Sequence, residues 1–153
     1  MHDGLFRFVG FIKKRRWGLS YAVWHWVFDR DSHQQYTLPY IAQSPISKKK
    51  KEFATIDDIW NEIKLITEST KFSIGQQLFY LLPLFANPIY ILNDGYFNLI
   101  NEYHYVTEYN IPLGNNLNDT DADKLVMFNI IKNEIGLALK HKAKKEKNGD
   151  SKS

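Results

Sequence analysis

Two histidines and two aspartates lie close together in "HWVFDRDSH": His25, Asp29, Asp31 and His33. Imidazole and carboxylate both ligate divalent metals, so this set is a candidate metal site and would make the protein a metal-dependent enzyme. Its spacing matches no ligand motif, and Asp and His are ordinary loop residues, where aspartates close turns. A second carboxylate group, Asp57 and Asp58 with Glu62, has the composition of a general acid–base pair. A helix N-terminus explains Asp57 and Asp58 more simply, because the dipole there favours negative charge. His104 sits among tyrosines and His141 among lysines. They read as a helix-surface and a solvated residue.

The motifs that would name a reaction are missing. The chain has no GxxxxGK[ST] or GxGxxG phosphate loop, no GxSxG elbow and no HExxH pair. It has no cysteine, which excludes disulfides, thiolate nucleophiles and cysteine-bound zinc. No catalytic residue, metal ligand or cofactor is assigned, and the expectation is a protein that is not an enzyme.

Two other residue classes remain. Three basic clusters, Lys13, Lys14, Arg15, Arg16, then Lys48, Lys49, Lys50, Lys51, then "KHKAKKEK" from Lys140 to Lys147, have the charge that phosphate requires. The first two are the candidate nucleic-acid-binding residues. The other reading of such runs is solvated lysine at domain edges. Aromatic residues make up 15% of the chain, and Trp17, Tyr21, Trp24, Trp26 and Phe28 follow directly on the first basic run. Tryptophan, tyrosine and arginine dominate protein interfaces, so these five are the candidate partner-binding residues. Beside "KKRR", Phe6, Phe8, Phe11 and Trp17 also fit an anionic membrane surface.

The formal net charge of +3 hides a segregation: +6 over residues 1–53, −6 over 54–120 and +3 over 121–153. Such a chain can pair its ends with its own middle, pair with copies of itself, or dock on a partner by oriented charge. The acidic middle argues against a dedicated nucleic-acid domain. A length of 153 residues suits one domain with tails. No secretory order of charge before apolar run begins it. The most apolar stretch, residues 78–92, is shorter than the roughly 20 residues a spanning helix needs. It also contains Asn87, Pro83 and Pro88, so it reads as a buried, kinked helix pair. The expected location is cytoplasmic or within a viral particle.

The elements follow from periodicity. Residues 5–28 fit two periods. As strands, Trp17, Leu19, Tyr21 and Val23 share a face; as a helix, Trp17, Tyr21, Trp24 and Phe28 form a stripe. A helix here would set "KKRR" at its N-terminus and "DRD" at its C-terminus, both of the wrong sign for the macrodipole. A twisted β-hairpin is therefore expected. Residues 29–52 lack periodicity and read as an extended arm.

From Ala54 the pattern is helical. Thr55 caps a helix with Ile56, Ile59, Trp60, Ile63 and Ile66 as its stripe, and Ser73 with Gln76 forms a capping box. Asn87 and Pro88 restart a helix after Pro83. Tyr96, Leu99, Ile100, Tyr103 and Val106 mark one further stripe. Leu125, Phe128, Ile131, Ile135 and Leu139 mark the last, in a helix starting at Thr120. The predicted fold class is α+β, mainly α: a basic, aromatic-rich hairpin and arm over 1–53, a bundle of about four helices over 54–146, and a disordered tail over 147–153.

This organisation is similar to that of small structural and adaptor components of large assemblies, phage particles included; no motif carries the similarity. It implies a non-enzymatic assembly or adaptor protein with a protein partner or a homo-oligomer. Nucleic-acid binding is the alternative and the metal-dependent enzyme the second alternative.

Overall fold

The computed structural model describes residues 2–29, 36–69, 72–111 and 119–150. The fold is α+β and mainly α. Five α-helices and one two-stranded antiparallel hairpin appear among the described residues: α1 His2–Phe28, β1 Tyr40–Gln43, β2 Lys50–Phe53, α2 Ile56–Ser69, α3 Ile74–Leu81, α4 Asp94–Tyr109 and α5 Asp119–Asp150. Two single 3-10 turns, Leu82–Leu84 and Pro88–Tyr90, join α3 to α4.

The N-terminal segment corrects the strand expectation. Residues 5–28 belong to one helix rather than a hairpin. A dipole penalty applies only where "KKRR" stands at the helix N-terminus. The helix starts at His2, so Lys13–Arg16 lie in its interior, beyond the first turn where the dipole acts. Two of these cations also find carboxylates: Lys14 Nζ is 3.4 Å from Asp57 and Arg15 Nη1 is 3.0 Å from Asp123. Both periods fitted the sequence because every residue from Gly18 to His25 is buried; a helix that is apolar all round is an interior helix. Asp29, at φ 47°, closes it in the left-handed region.

Helix α1 is accordingly the centre of the fold. Tyr21 packs with the hairpin, α2, α3 and the 3-10 turns through Ala42, Phe53, Ile59, Ile63, Ile66, Leu78 and Phe85. Leu19, Ala22 and Val23 pack with Ile100 of α4 and with Met127, Phe128 and Ile131 of α5. Trp24 packs with Phe79 of α3 and Ala138 of α5.

The hairpin lies where an irregular arm is expected. Tyr40 faces Phe53 and Gln43 faces Lys50 across an antiparallel register. Four-residue strands are too short to show a period, and the loop between them holds Pro45 and the lysines. That loop closes through Lys48 N–H to the Ser44 carbonyl at 3.0 Å, with Lys48 at φ 64°.

The helix starts follow their caps. Asp58 accepts from the N–H groups of Ala54 at 2.9 Å and Thr55 at 3.1 Å, the reciprocal half of a capping box. Ser73 accepts from Gln76 N and Asn87 from Ile89 N. Pro83 and Pro88 each sit inside a 3-10 turn, so the chain over 78–92 bends at both prolines. In place of the expected buried helix pair, α3 ends at Leu81, Asn87 opens only a single 3-10 turn, and Leu84 and Ile89 are exposed. No described helix is long and apolar enough to cross a membrane. At the far end α5 runs on to Asp150, through four residues of the expected tail.

Candidate functional site

Lys14 and Arg15 stand on α1 one turn before its buried stretch. Opposite them are Trp60 of α2 and the first turns of α4: Asn93, Gly95, Tyr96 and Leu99. Together these seven residues line an open cleft of about 430 Å³. Its walls are held from behind. Trp17 stacks on Trp60 with ring centres 6.5 Å apart. Tyr96 lies over Gly18, where a Cβ would come within 2.5 Å of the tyrosine oxygen and 2.7 Å of its ring. Only glycine lets α4 approach α1 this closely. Burial raises the Tyr96 phenol above its ordinary value; a hydrogen bond with the Asn93 side chain and the nearby Arg15 charge oppose that. Asn93 also caps α4 by accepting from Tyr96 N at 3.0 Å. The cleft thus sets two cations beside an aromatic and aliphatic wall.

A second cluster lies inside the molecule. Glu134 of α5 is buried and accepts from Trp24 Nε1 at 2.7 Å. Its carboxylate also accepts from the Gly75 N–H and the Ser73 hydroxyl at the start of α3, and burial raises its pKa above the ordinary carboxylate value despite these bonds. A Cβ on Gly75 would stand 2.5 Å from Glu134 Oε2 and collide with the Trp24 ring. A carboxylate between an indole and a helix start is a joint between three helices. Beside it Tyr80 Oη is 2.8 Å from His141 Nε2, Lys145 lies 4.8 Å over the Tyr80 ring, and burial lowers the His141 pKa.

A third cluster ties the hairpin down. Glu62 is 2% exposed and receives hydrogen bonds from the Ser44 hydroxyl and from Lys51 Nζ at 3.0 Å. The Ser44 oxygen in turn accepts from the N–H groups of Ile46 and Ser47.

The candidate partner-binding residues do not form a surface. Tyr21 and Trp24 are wholly buried, and Trp17, Trp26 and Phe28 are half-buried in the three core clusters. Helix α1 is itself the middle of the helical body, which is why these side chains are covered.

The candidate nucleic-acid residues separate. Lys13, Arg16, Lys48, Lys49 and Lys50 are exposed. Lys14, Arg15 and Lys51 are held by Asp57, Asp123 and Glu62.

The chain matches no known family, no curated protein and no solved structure.

Of the metal candidates, His25 is buried edge-on against Tyr21 and Phe79, Asp29 is exposed at the helix end, and Asp31 and His33 lie outside the described residues. Among the described residues no group of three or more His, Asp or Glu is placed to hold a metal ion. Asp57 pairs with Lys14 of α1 and Asp58 caps α2, while Glu62 is taken up by Ser44 and Lys51.

Sequence reasoning passed over Glu134, Gly75 and Ser44. Glu134 falls on the buried line Met127, Phe128, Ile131, Ala138 of α5, while the predicted Leu125 and Leu139 are exposed. A charged residue inside an apolar stripe shifts the apparent face. The available signal was Gly75 two places after a capping serine, where a glycine marks close approach.

Proposed function

We propose that this protein is a non-enzymatic adaptor or assembly component, acting by contact with another protein and suited to a place in a larger particle such as a virion. The observation that carries this reading is the apolar side chains displayed by the hairpin and the 3-10 turns. Ile41 is 67%, Leu84 57% and Ile89 68% exposed. They stand on a stiff aromatic base. Tyr40 stacks on Phe53 at 5.3 Å, Phe53 meets Phe85 at 5.6 Å, Tyr36 donates to the Leu84 carbonyl at 3.2 Å and Tyr90 accepts from Leu38 N at 3.1 Å. Large apolar side chains on a rigid support bind with little ordering cost. The test is light scattering and partner capture with the full chain, repeated with Ile41→Ser, Leu84→Ser and Ile89→Ser combined. The expected outcome is self-association or a partner lost in the triple variant. A strict monomer with no partner lost on substitution overturns the reading.

Nucleic-acid contact is the second reading, favoured by the exposed Lys48, Lys49 and Lys50 around the hairpin turn and Lys13 and Arg16 on α1. Changing all five to Ser should weaken binding of DNA or RNA and flatten its salt dependence. No gel retardation by the unsubstituted chain at low salt would remove it.

A further inference from the structure

We propose that the cleft between α1, α2 and α4 binds a small planar aromatic compound carrying a phosphate group, of the size of a nucleoside monophosphate. Its volume of about 430 Å³ falls within the roughly 300–1,000 Å³ of small-molecule sites. Trp60, Tyr96 and Leu99 offer a wall that suits a ring, and Lys14 and Arg15 face the same space, which suits an anion. A bare phosphate would leave the apolar wall uncovered. A bare ring would leave both cations with only their exposed carboxylate partners, Asp57 and Asp123.

The cations are free to change partners. Lys14 reaches Asp57 at only 3.4 Å, and that carboxylate is 81% exposed. Arg15 engages Asp123 through Nη1, one nitrogen of a fork with five N–H donors. Exposed pairs of this kind are weak, whereas lysine and arginine together on one phosphate make charge-assisted hydrogen bonds. The wall is also set in advance, because Trp17 supports Trp60 and the contact over Gly18 positions Tyr96; preorganisation of this sort favours affinity. This site is separate from the hairpin face and does not depend on the adaptor reading.

The experiment is a resonance titration of the full chain with adenosine 5′-monophosphate, with adenosine and inorganic phosphate as separate arms. The expected result is saturable shifts at the Trp60 indole and at the amides of Gly95, Tyr96 and Leu99. The nucleotide should bind at least tenfold tighter than either half. Lys14→Gln with Arg15→Gln should weaken the nucleotide at least tenfold and leave adenosine unchanged. Nucleotide binding no tighter than phosphate, shifts outside the cleft, or an unchanged affinity in the double variant each overturns the proposal. The arms on the unsubstituted chain decide it even where the double variant does not fold. A thymidine oligonucleotide forms a final arm: binding tighter than the mononucleotide, with shifts at Lys48–Lys50 in place of the cleft, replaces this site with a strand-binding surface.

Discussion

Glu134 ties α1, α3 and α5 together in the interior. It is the shared acceptor for the Trp24 indole, the Gly75 amide and the Ser73 hydroxyl. Removing it leaves buried donors unanswered, so Glu134→Ala should lose about 3 kcal/mol in chemical denaturation. Its pKa is raised by burial, so the folded state binds this proton more tightly than the unfolded state. Stability from this group is therefore full below the ordinary carboxylate value and falls as pH rises through the raised one. Denaturation across that range should show the fall in the natural chain and a flatter profile in Glu134→Gln. Asp58 has the opposite sign. Hydrogen bonds from Ala54 and Thr55 lower its pKa below the ordinary 3.8, and its contribution disappears as pH drops through the lowered value. Tyr40 offers a different test. Its hydroxyl is buried with no hydrogen-bond partner among the described residues, and burial first, then Tyr90 and Tyr36, push its pKa up to about 12. Tyr40→Phe removes an unanswered polar group while keeping the stack on Phe53, so its melting temperature should equal or exceed that of the natural chain.

Two glycines in helices behave oppositely because of what surrounds them. Gly75 opens α3 against Trp24 and Glu134, where an added methyl group has no room. Gly75→Ala should cost about 1–3 kcal/mol through overpacking. Gly136 lies on α5 with nothing within 4 Å of the place a Cβ would take. Gly136→Ala should stabilise by about 1 kcal/mol, the ordinary helix-propensity gain. Thermal denaturation of the pair checks both signs in one host. The hairpin depends on α2 in a comparable way. Lys51 answers the buried Glu62 carboxylate, whose other oxygen holds Ser44. Lys51→Ala should cost about 2 kcal/mol by leaving a buried charge half-answered. Hydrogen exchange should show that loss first in β1 and β2.

At the scale of the whole molecule the charge segregation is used internally. Lys14 reaches Asp57, Lys51 reaches Glu62 and Lys124 reaches Glu102, so cations of both basic ends meet carboxylates of the acidic middle. The stretch 18–25 of α1 is equally internal. Deleting residues 1–28 removes the helix around which α3, α4 and α5 pack. The truncated chain should lose cooperative unfolding, measured by circular dichroism, instead of behaving as a trimmed domain.

By itself the sequence determined what depends on neighbours along the chain. Thr55 with Asp58, Ser73 with Gln76, and Asn87 with Pro88 mark starts that local hydrogen bonds enforce, and the stripes of α2 and α4 follow from a period of 3.6. The mainly helical α+β class was legible from these signals, as was the kinked passage over Pro83 and Pro88. The hairpin was legible as a feature of the N-terminal third but not in position, since four-residue strands carry no period. Tertiary structure alone decided the state of residues 5–28, because the stretch 18–25, buried on every side, satisfies both periods and the charges of Lys14 and Arg15 meet carboxylates far away in sequence. It also decided the fate of Trp17, Tyr21, Trp24, Trp26 and Phe28, which a sequence can mark as needing cover but cannot assign to core or partner. The cleft belongs to the same class: Lys14, Arg15, Trp60 and Tyr96 come from three helices, and only the packing of α4 over Gly18 brings them together.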